Sequence, residues 1–169
     1  MENEIVNRVV NSSLKTVDLE ELYKSTNVGV FDIADYLFEG IALKEKDFRQ
    51  TLKAFDWTTY NGKSVAIYCS ADAIVPRWAY ILLATYLAPI ADFYAFGDLD
   101  ALKTQIFLEK INQLDTSIFI DQKVVIKGCS KIEVPNEAYI ALSRKLLPVV
   151  SSLMYGEPCS TVPLFKKAK

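Results

Sequence analysis

The sequence predicts an α/β protein with a largely parallel sheet, flanking helices and a duplicated β-α-β unit at 65–98 and 124–157. Three observations predict it. First, sliding the chain against itself so that Val65 lies over Val124 superposes the two segments without a gap, and eleven of 34 positions are identical. Val75-Pro76 meets Val134-Pro135, Ala79-Tyr80-Ile81 meets Ala138-Tyr139-Ile140, and Gly97 meets Gly156. An ungapped match of this length marks an internal repeat. Second, each copy opens on a short run rich in β-branched residues, Val65–Tyr68 and Val124–Lys127, as a buried strand does. Third, each copy continues through a Pro-started, Pro-ended apolar stretch of helical spacing into a second short strand, and a strand–helix–strand crossover requires parallel strands.

The remaining elements follow in chain order. Ile5, Val6, Val9 and Val10 fit one face of a short helix, Lys15–Leu19 fits a strand, and so does Val28–Ile33. From Lys44 to Phe55 the spacing of Phe48, Leu52 and Phe55 fits a helix whose polar face carries Lys46, Arg49 and Lys53. Asn61-Gly62 signals a turn into the first repeat strand. In each copy the proline, Pro76 or Pro135, is placed at the first helical position, where a missing N–H costs nothing. Phe93–Phe96 and Leu153–Tyr155 are the return strands. Between the copies Asp98 caps a helix with Leu99, Leu102 and Ile106 on its apolar face. The expected organisation is a single α/β domain over 1–169, with 1–60 as a mixed α/β cover and 158–169 as a C-terminal tail. The helix at 76–88 is apolar nearly all round, so either the segment 1–60 covers it or it forms a homodimer interface; cover by the chain itself is the first expectation.

Composition removes several classes of function. With 169 residues, 51% hydrophobic, and 19 Lys+Arg against 21 Asp+Glu, the chain suits a packed globular protein and gives no basic field for nucleic acid. No stretch is long and apolar enough to span a bilayer, and the first residues lack a secretory pattern, so a cytoplasmic location is expected, with no membrane partner. There is no histidine, which excludes His-based triads, His general bases and imidazole metal ligands.

Three cysteines then carry most of the remaining chemistry. Each stands in one local pattern: Cys69-Ser70 leads to Val75-Pro76, Cys129-Ser130 to Val134-Pro135, and Cys159-Ser160 to Val162-Pro163. All three are expected at the C-terminal ends of parallel strands on one sheet edge, where α/β proteins place their sites. Helix N-termini favour thiolates, and thiolates without imidazole suit an Fe–S cluster or zinc. Cys69, Cys129 and Cys159 are therefore the candidate metal ligands. Asp72, Asp98 and Glu157 are candidate fourth ligands or acids, and Ser70, Ser130 and Ser160 candidate cofactor contacts. Two alternatives stay open: a thiol enzyme or sulfur carrier using one reactive cysteine, and a structural or interaction module in which the cysteines are core packing.

Several stretches also carry a resemblance. Cys69-Ser-Ala-Asp-Ala-Ile-Val-Pro-x-Trp-Ala-Tyr, Val124-Val-Ile-Lys-Gly-Cys-Ser and Met154-Tyr-Gly-Glu-Pro-Cys-Ser-Thr-Val-Pro-Leu are similar to a bacterial family, the domain of unknown function 2480. Tyr36–Gly40 and Leu43–Phe48 share the likeness, which extends over nearly the whole chain. The resemblance implies a bacterial cytoplasmic protein with Fe–S assembly proteins as candidate partners, and it implies no particular activity.

Overall fold

The fold is that of a computed structural model, which describes residues 14–168 apart from Ser25, Cys129, Ser130 and Pro158. The short helix expected around Ile5–Val10 lies outside the described residues. The chain divides into two compact units: unit 1 comprises residues 1–25 and 107–169, and unit 2 comprises 26–106. Unit 2 is thus inserted in sequence between the two pieces of unit 1.

Unit 2 holds β2 (Val28–Asp32), α2 (Glu45–Ala54), β3 (Ser64–Tyr68), α3 (Arg77–Leu87) and β4 (Phe93–Phe96). Its three strands run parallel in the order β2-β3-β4. Phe31, Val65 and Ile67 project from one sheet face into a core completed by Phe48 and Leu52 of α2 and Ala79, Leu83 and Leu87 of α3. The i, i+4 spacing within each helix puts these residues on one stripe. The apolar α3 is therefore covered by α2 and by aromatic neighbours from the segment 1–60: Trp57 stacks on Tyr86 at 4.8 Å, and Phe48 meets Trp78 edge-on at 6.1 Å. Tyr60 donates its hydroxyl to the Val30 carbonyl at 2.7 Å, and burial pushes its phenol up to about 12.

Unit 1 holds β1 (Leu14–Asp18), α1 (Leu19–Tyr23), β5 (Lys123–Lys127), α5 (Asn136–Leu146), β6 (Ser152–Glu157) and β7 (Ser160–Lys166). Strand order is β1-β5-β6-β7; the first three are parallel and β7 is antiparallel to β6. Ala138, Leu142 and Leu146 of α5 pack on Val17, Val124, Ile126 and Leu153. The helix α4 (Leu99–Gln113) contributes Phe107 and Ile111 to this core.

The repeat is reproduced element by element. In the register that lays Val65 over Val124, β3 and α3 coincide with β5 and α5 residue for residue, and β4 maps into β6. Gly97 and Gly156 are equivalent and share φ values of +125° and +120°. Only glycine adopts that conformation readily, and a Cβ there would stand 2.5 Å from the Ala101 Cβ or 2.7 Å from the Ser160 carbonyl oxygen.

Three expectations are corrected. The α/β class with parallel strands, flanking helices and β-α-β units stands, but the strands fall in two sheets, because the leading strands β1 and β2 each pair with a different repeat strand. The segment expected as a tail carries β7, in which Val162 and Phe165 pair with Tyr155 and Leu153 across a register shift. Pro163 argues against a central strand, but β7 is at the edge, where a missing N–H is tolerated. Pro76 and Pro135 precede their helices by one residue, with φ −62° and −66° and extended ψ, and their carbonyls accept from Ala79 and Ala138. Among the described residues no helix is long and apolar enough to cross a membrane.

Leu83 and Leu142 occupy equivalent, fully buried positions. Replacing either by Ala is expected to cost about 2–5 kcal/mol in urea unfolding, from lost transfer energy plus the cavity. A loss below about 1 kcal/mol at either would contradict its place in the core.

Candidate site at the carboxyl edges of the parallel strands

Within each unit the parallel strands end at a common edge, and an acidic residue closes each leading strand. Asp18 ends β1 and accepts the Glu20 N–H at 2.9 Å; Asp32 ends β2 and accepts the Ala34 N–H at 2.9 Å. These are N-cap bonds, which satisfy an otherwise orphaned donor of the next turn. Asp32 Oδ1 also accepts the Ser70 N–H at 3.0 Å, so it fixes the chain as it leaves β3. Burial pushes the Asp32 carboxyl up, but hydrogen bonds from Ser70 and Ala34 outweigh it and hold the group below the usual carboxylate range.

The edge of unit 1 is charged. Lys127, the last residue of β5, places its Nζ 3.4 Å from Glu157 Oε2 on β6 and 3.8 Å from Asp18 Oδ2 on β1. The hydrogen bond and charge of Glu157, helped by Asp18 and Glu20, hold the Lys127 ammonium above its ordinary range. Glu20, from α1, accepts the Lys131 N–H at 3.1 Å and so holds the loop after β5. In unit 2 the positions equivalent to Lys127 and Glu157 are Tyr68 and Asp98, so this charge network has no counterpart there.

The cysteines divide between the two sheets. Cys69 follows β3 in unit 2, is half-buried against the aromatic core, and donates its Sγ–H to the Ala71 carbonyl at 3.6 Å. Cys159 lies in the β6–β7 hairpin turn of unit 1, exposed. Both are free thiols. Cys129 and Ser130 lie outside the described residues. The expectation of one shared sheet edge is thus corrected, since β3 belongs to one sheet and β6 to the other. Among the described residues no three of Cys, Asp and Glu come together as a metal-binding group.

The acids and serines singled out from the sequence have mixed fates. Glu157 pairs with Lys127, while Asp98 accepts the Ala101 N–H at 2.9 Å as the cap of α4. Asp72 is exposed in the loop before α3; Ser70 and Ser160 are exposed as well.

The repeat register places Cys69 opposite Gly128 and Ser70 opposite Cys129, so the two cysteines are one residue out of step. There is a steric reason. A Cβ at Gly128 would stand 2.7 Å from the Tyr139 hydroxyl, so a side chain at that position would have to displace that hydroxyl.

Sequence reasoning missed Asp18, Glu20, Asp32 and Lys127. A signal for the acids is present: Val17-Asp18-Leu19 and Phe31-Asp32-Ile33 repeat a strand–Asp–apolar pattern, and Leu19 and Ile33 are both fully buried. It escapes the repeat comparison because Asp18 and Asp32 follow each other much more closely than the two copies do.

Fold and edges together define an α/β protein of two parallel-sheet units with carboxyl-edge sites of different polarity. Residues 3–167 match the family described as "Protein of unknown function (DUF2480)", and the chain belongs to that family. No curated protein and no solved structure matches it.

Asp32 gives a pH test. Because its folded pKa is depressed, its stabilising contribution is present above the unfolded value of about 3.9 and is lost as pH falls through the folded value. Asp32→Asn is expected to remove that pH-dependent part, so the acid limb of the unfolding curve below about pH 4 is shallower than in the parent. Superimposable acid limbs would refute the assignment.

Proposed function

We propose that the chain binds a soft metal, zinc or an Fe–S cluster, through cysteine thiolates at the carboxyl edge of unit 1, and that it serves in metal or cluster handling in a reducing compartment such as the cytoplasm. One observation carries the proposal. Strands β5 and β6 are adjacent, parallel and paired, and each is followed two residues beyond its end by a cysteine, Cys129 and Cys159. Neighbouring strands lie about 4.8 Å apart, so two chains leaving one edge in the same direction start within metal-sharing distance. Carboxylates at this edge support a cation over an anion: Asp18, Glu20 and Glu157 all act on the Lys127 ammonium. With no histidine in the chain, the donors are sulfur, with Glu157 as the nearest carboxylate in sequence to Cys159.

The test is anaerobic purification followed by absorption spectra, metal analysis and thiol counting. Bound metal near stoichiometry is expected, falling at least tenfold in Cys129→Ser and in Cys159→Ser, the scale on which metal sites lose affinity with their ligands. Cys69→Ser decides whether the third cysteine takes part. A colourless, metal-free protein with three free thiols overturns the proposal.

A second reading, a thiol enzyme or sulfur carrier, is favoured by the exposure of Cys159 on its hairpin. It expects Cys159 to be alkylated by iodoacetamide roughly tenfold or more faster than half-buried Cys69. Uniform, slow alkylation of all three thiols would eliminate it.

A further inference from the structure

We propose that the outer face of α5 is an interface between two copies of this chain, packed antiparallel with Glu137 of each copy against Arg144 of the other. α5 buries Ala138, Leu142 and Leu146 against its sheet, and on the face turned away from it Ile140 is 69% and Leu147 39% exposed. Two rows of side chains run along that face at four-residue spacing, Tyr139-Ser143-Leu147 and Ile140-Arg144-Pro148, and they line an open groove of about 470 Å³. Rows of this spacing are the ridges that interdigitate when one helix packs on another. A groove lined by one helix fits a second helix better than a small molecule, whose burial requires walls on several sides.

Charge selects the partner. Glu137 lies in the first turn of α5 and Arg144 in the last. Seven residues is close to two helical turns, so both lie on one face, about 10 Å apart along the axis with Ile140 between them. A pair within the helix needs a spacing of three or four residues, so these two cannot satisfy each other. Among the described residues neither has an ion-pair or hydrogen-bond partner, whereas Lys145, the other base of the last turn, donates to the Asn112 carbonyl. A second α5 running the opposite way satisfies both charges at once. Its two-fold axis passes beside Ile140, so each carboxylate faces the other copy's guanidinium and the two Ile140 side chains meet at the centre. A parallel copy would set like charges opposite one another.

The equivalent helix α3 lacks this complementarity. Ile81, the counterpart of Ile140, is 68% exposed, but Trp78 and Thr85 stand where α5 has Glu137 and Arg144. One helix face is smaller than the roughly 800 Å² per partner of a standard interface, so a weak dimer with a dissociation constant of roughly 10–500 μM is expected.

Sedimentation equilibrium of the full chain tests the proposal, from about 5 μM to about 1 mM so as to bracket that constant. A reductant keeps the exposed Cys159 from linking copies through a disulfide. Ile140→Glu and Arg144→Glu are each expected to weaken association roughly tenfold or more, because each brings like or unpaired charges together at the contact. Glu137→Arg combined with Arg144→Glu restores the opposed charges and is expected to return the constant to within about threefold of the parent, which a merely structural role of either residue would not do. Ile81→Glu leaves it unchanged. A chain that stays monomeric at about 1 mM overturns the proposal and leaves the groove to a partner of other chemistry. A dimer indifferent to Ile140→Glu or Arg144→Glu, or a charge exchange without rescue, overturns it too. The exchanged charges also oppose the helix dipole. Should that variant fail to fold, salt decides on the parent: the constant is expected to rise roughly threefold or more between about 0.05 and about 0.5 M NaCl, and a constant that does not rise overturns the proposal.

Discussion

The central strands β3 and β5 are buried on both faces, and in each unit a crossover helix covers one of those faces. Val65, Ala66 and Ile67 are at most 4% exposed, and Val124, Val125 and Ile126 at most 2%. A parallel strand cannot be joined to its neighbour by a tight turn, so its connection must cross a sheet face, and the crossing helix becomes the cover. In this chain α3 and α5 fill that role with three buried side chains each, at equivalent positions. The same geometry sends every parallel strand end of a unit to one edge. Polar groups collect there because the interior of the sheet has no place for them.

Much of this is legible in the sequence, for identifiable reasons. The repeat exposes α3 and α5 because a helix that covers a sheet needs small and apolar residues at fixed spacing, and Ala79, Leu83 and Leu87 recur as Ala138, Leu142 and Leu146. The strands within the repeat read equally well. Sheet membership does not, because pairing between distant strands leaves no local trace. Leu14 pairs with Lys123 across more than half the chain, and nothing in Lys15–Asp18 names its partner. β7 is hidden by Pro163, a residue that reads as a strand breaker until the strand is known to be an edge. The edge network is hidden for a related reason: Asp18, Lys127 and Glu157 come from three strands and are neighbours only after the sheet exists.

The two units show how one scaffold is adapted at a few positions. Where unit 1 has Lys127 and Gly128, unit 2 has Tyr68 and Cys69. One choice sets a charge between two carboxylates; the other continues the aromatic and apolar lining, with Cys69 packed beside the core. Tyr80 and Tyr139 are equivalent and keep equivalent partners, Phe96 at 5.4 Å and Tyr155 at 5.9 Å, both nearly perpendicular.

The insertion of unit 2 between α1 and β5 has a consequence for how the molecule is made. β1 leaves the ribosome well before its partner strand, which is encoded more than half the chain later. At about 5–20 residues per second that separation is a delay of roughly 5–20 s, during which β1 has no sheet to join. Unit 2, encoded without interruption, has all its strands before β5 is translated. β1 is only five residues long and carries Lys15 and Asp18, features that blunt an unpaired strand against association with other nascent chains. The sheet of unit 1 can therefore be completed only after all the strands of unit 2 have been translated.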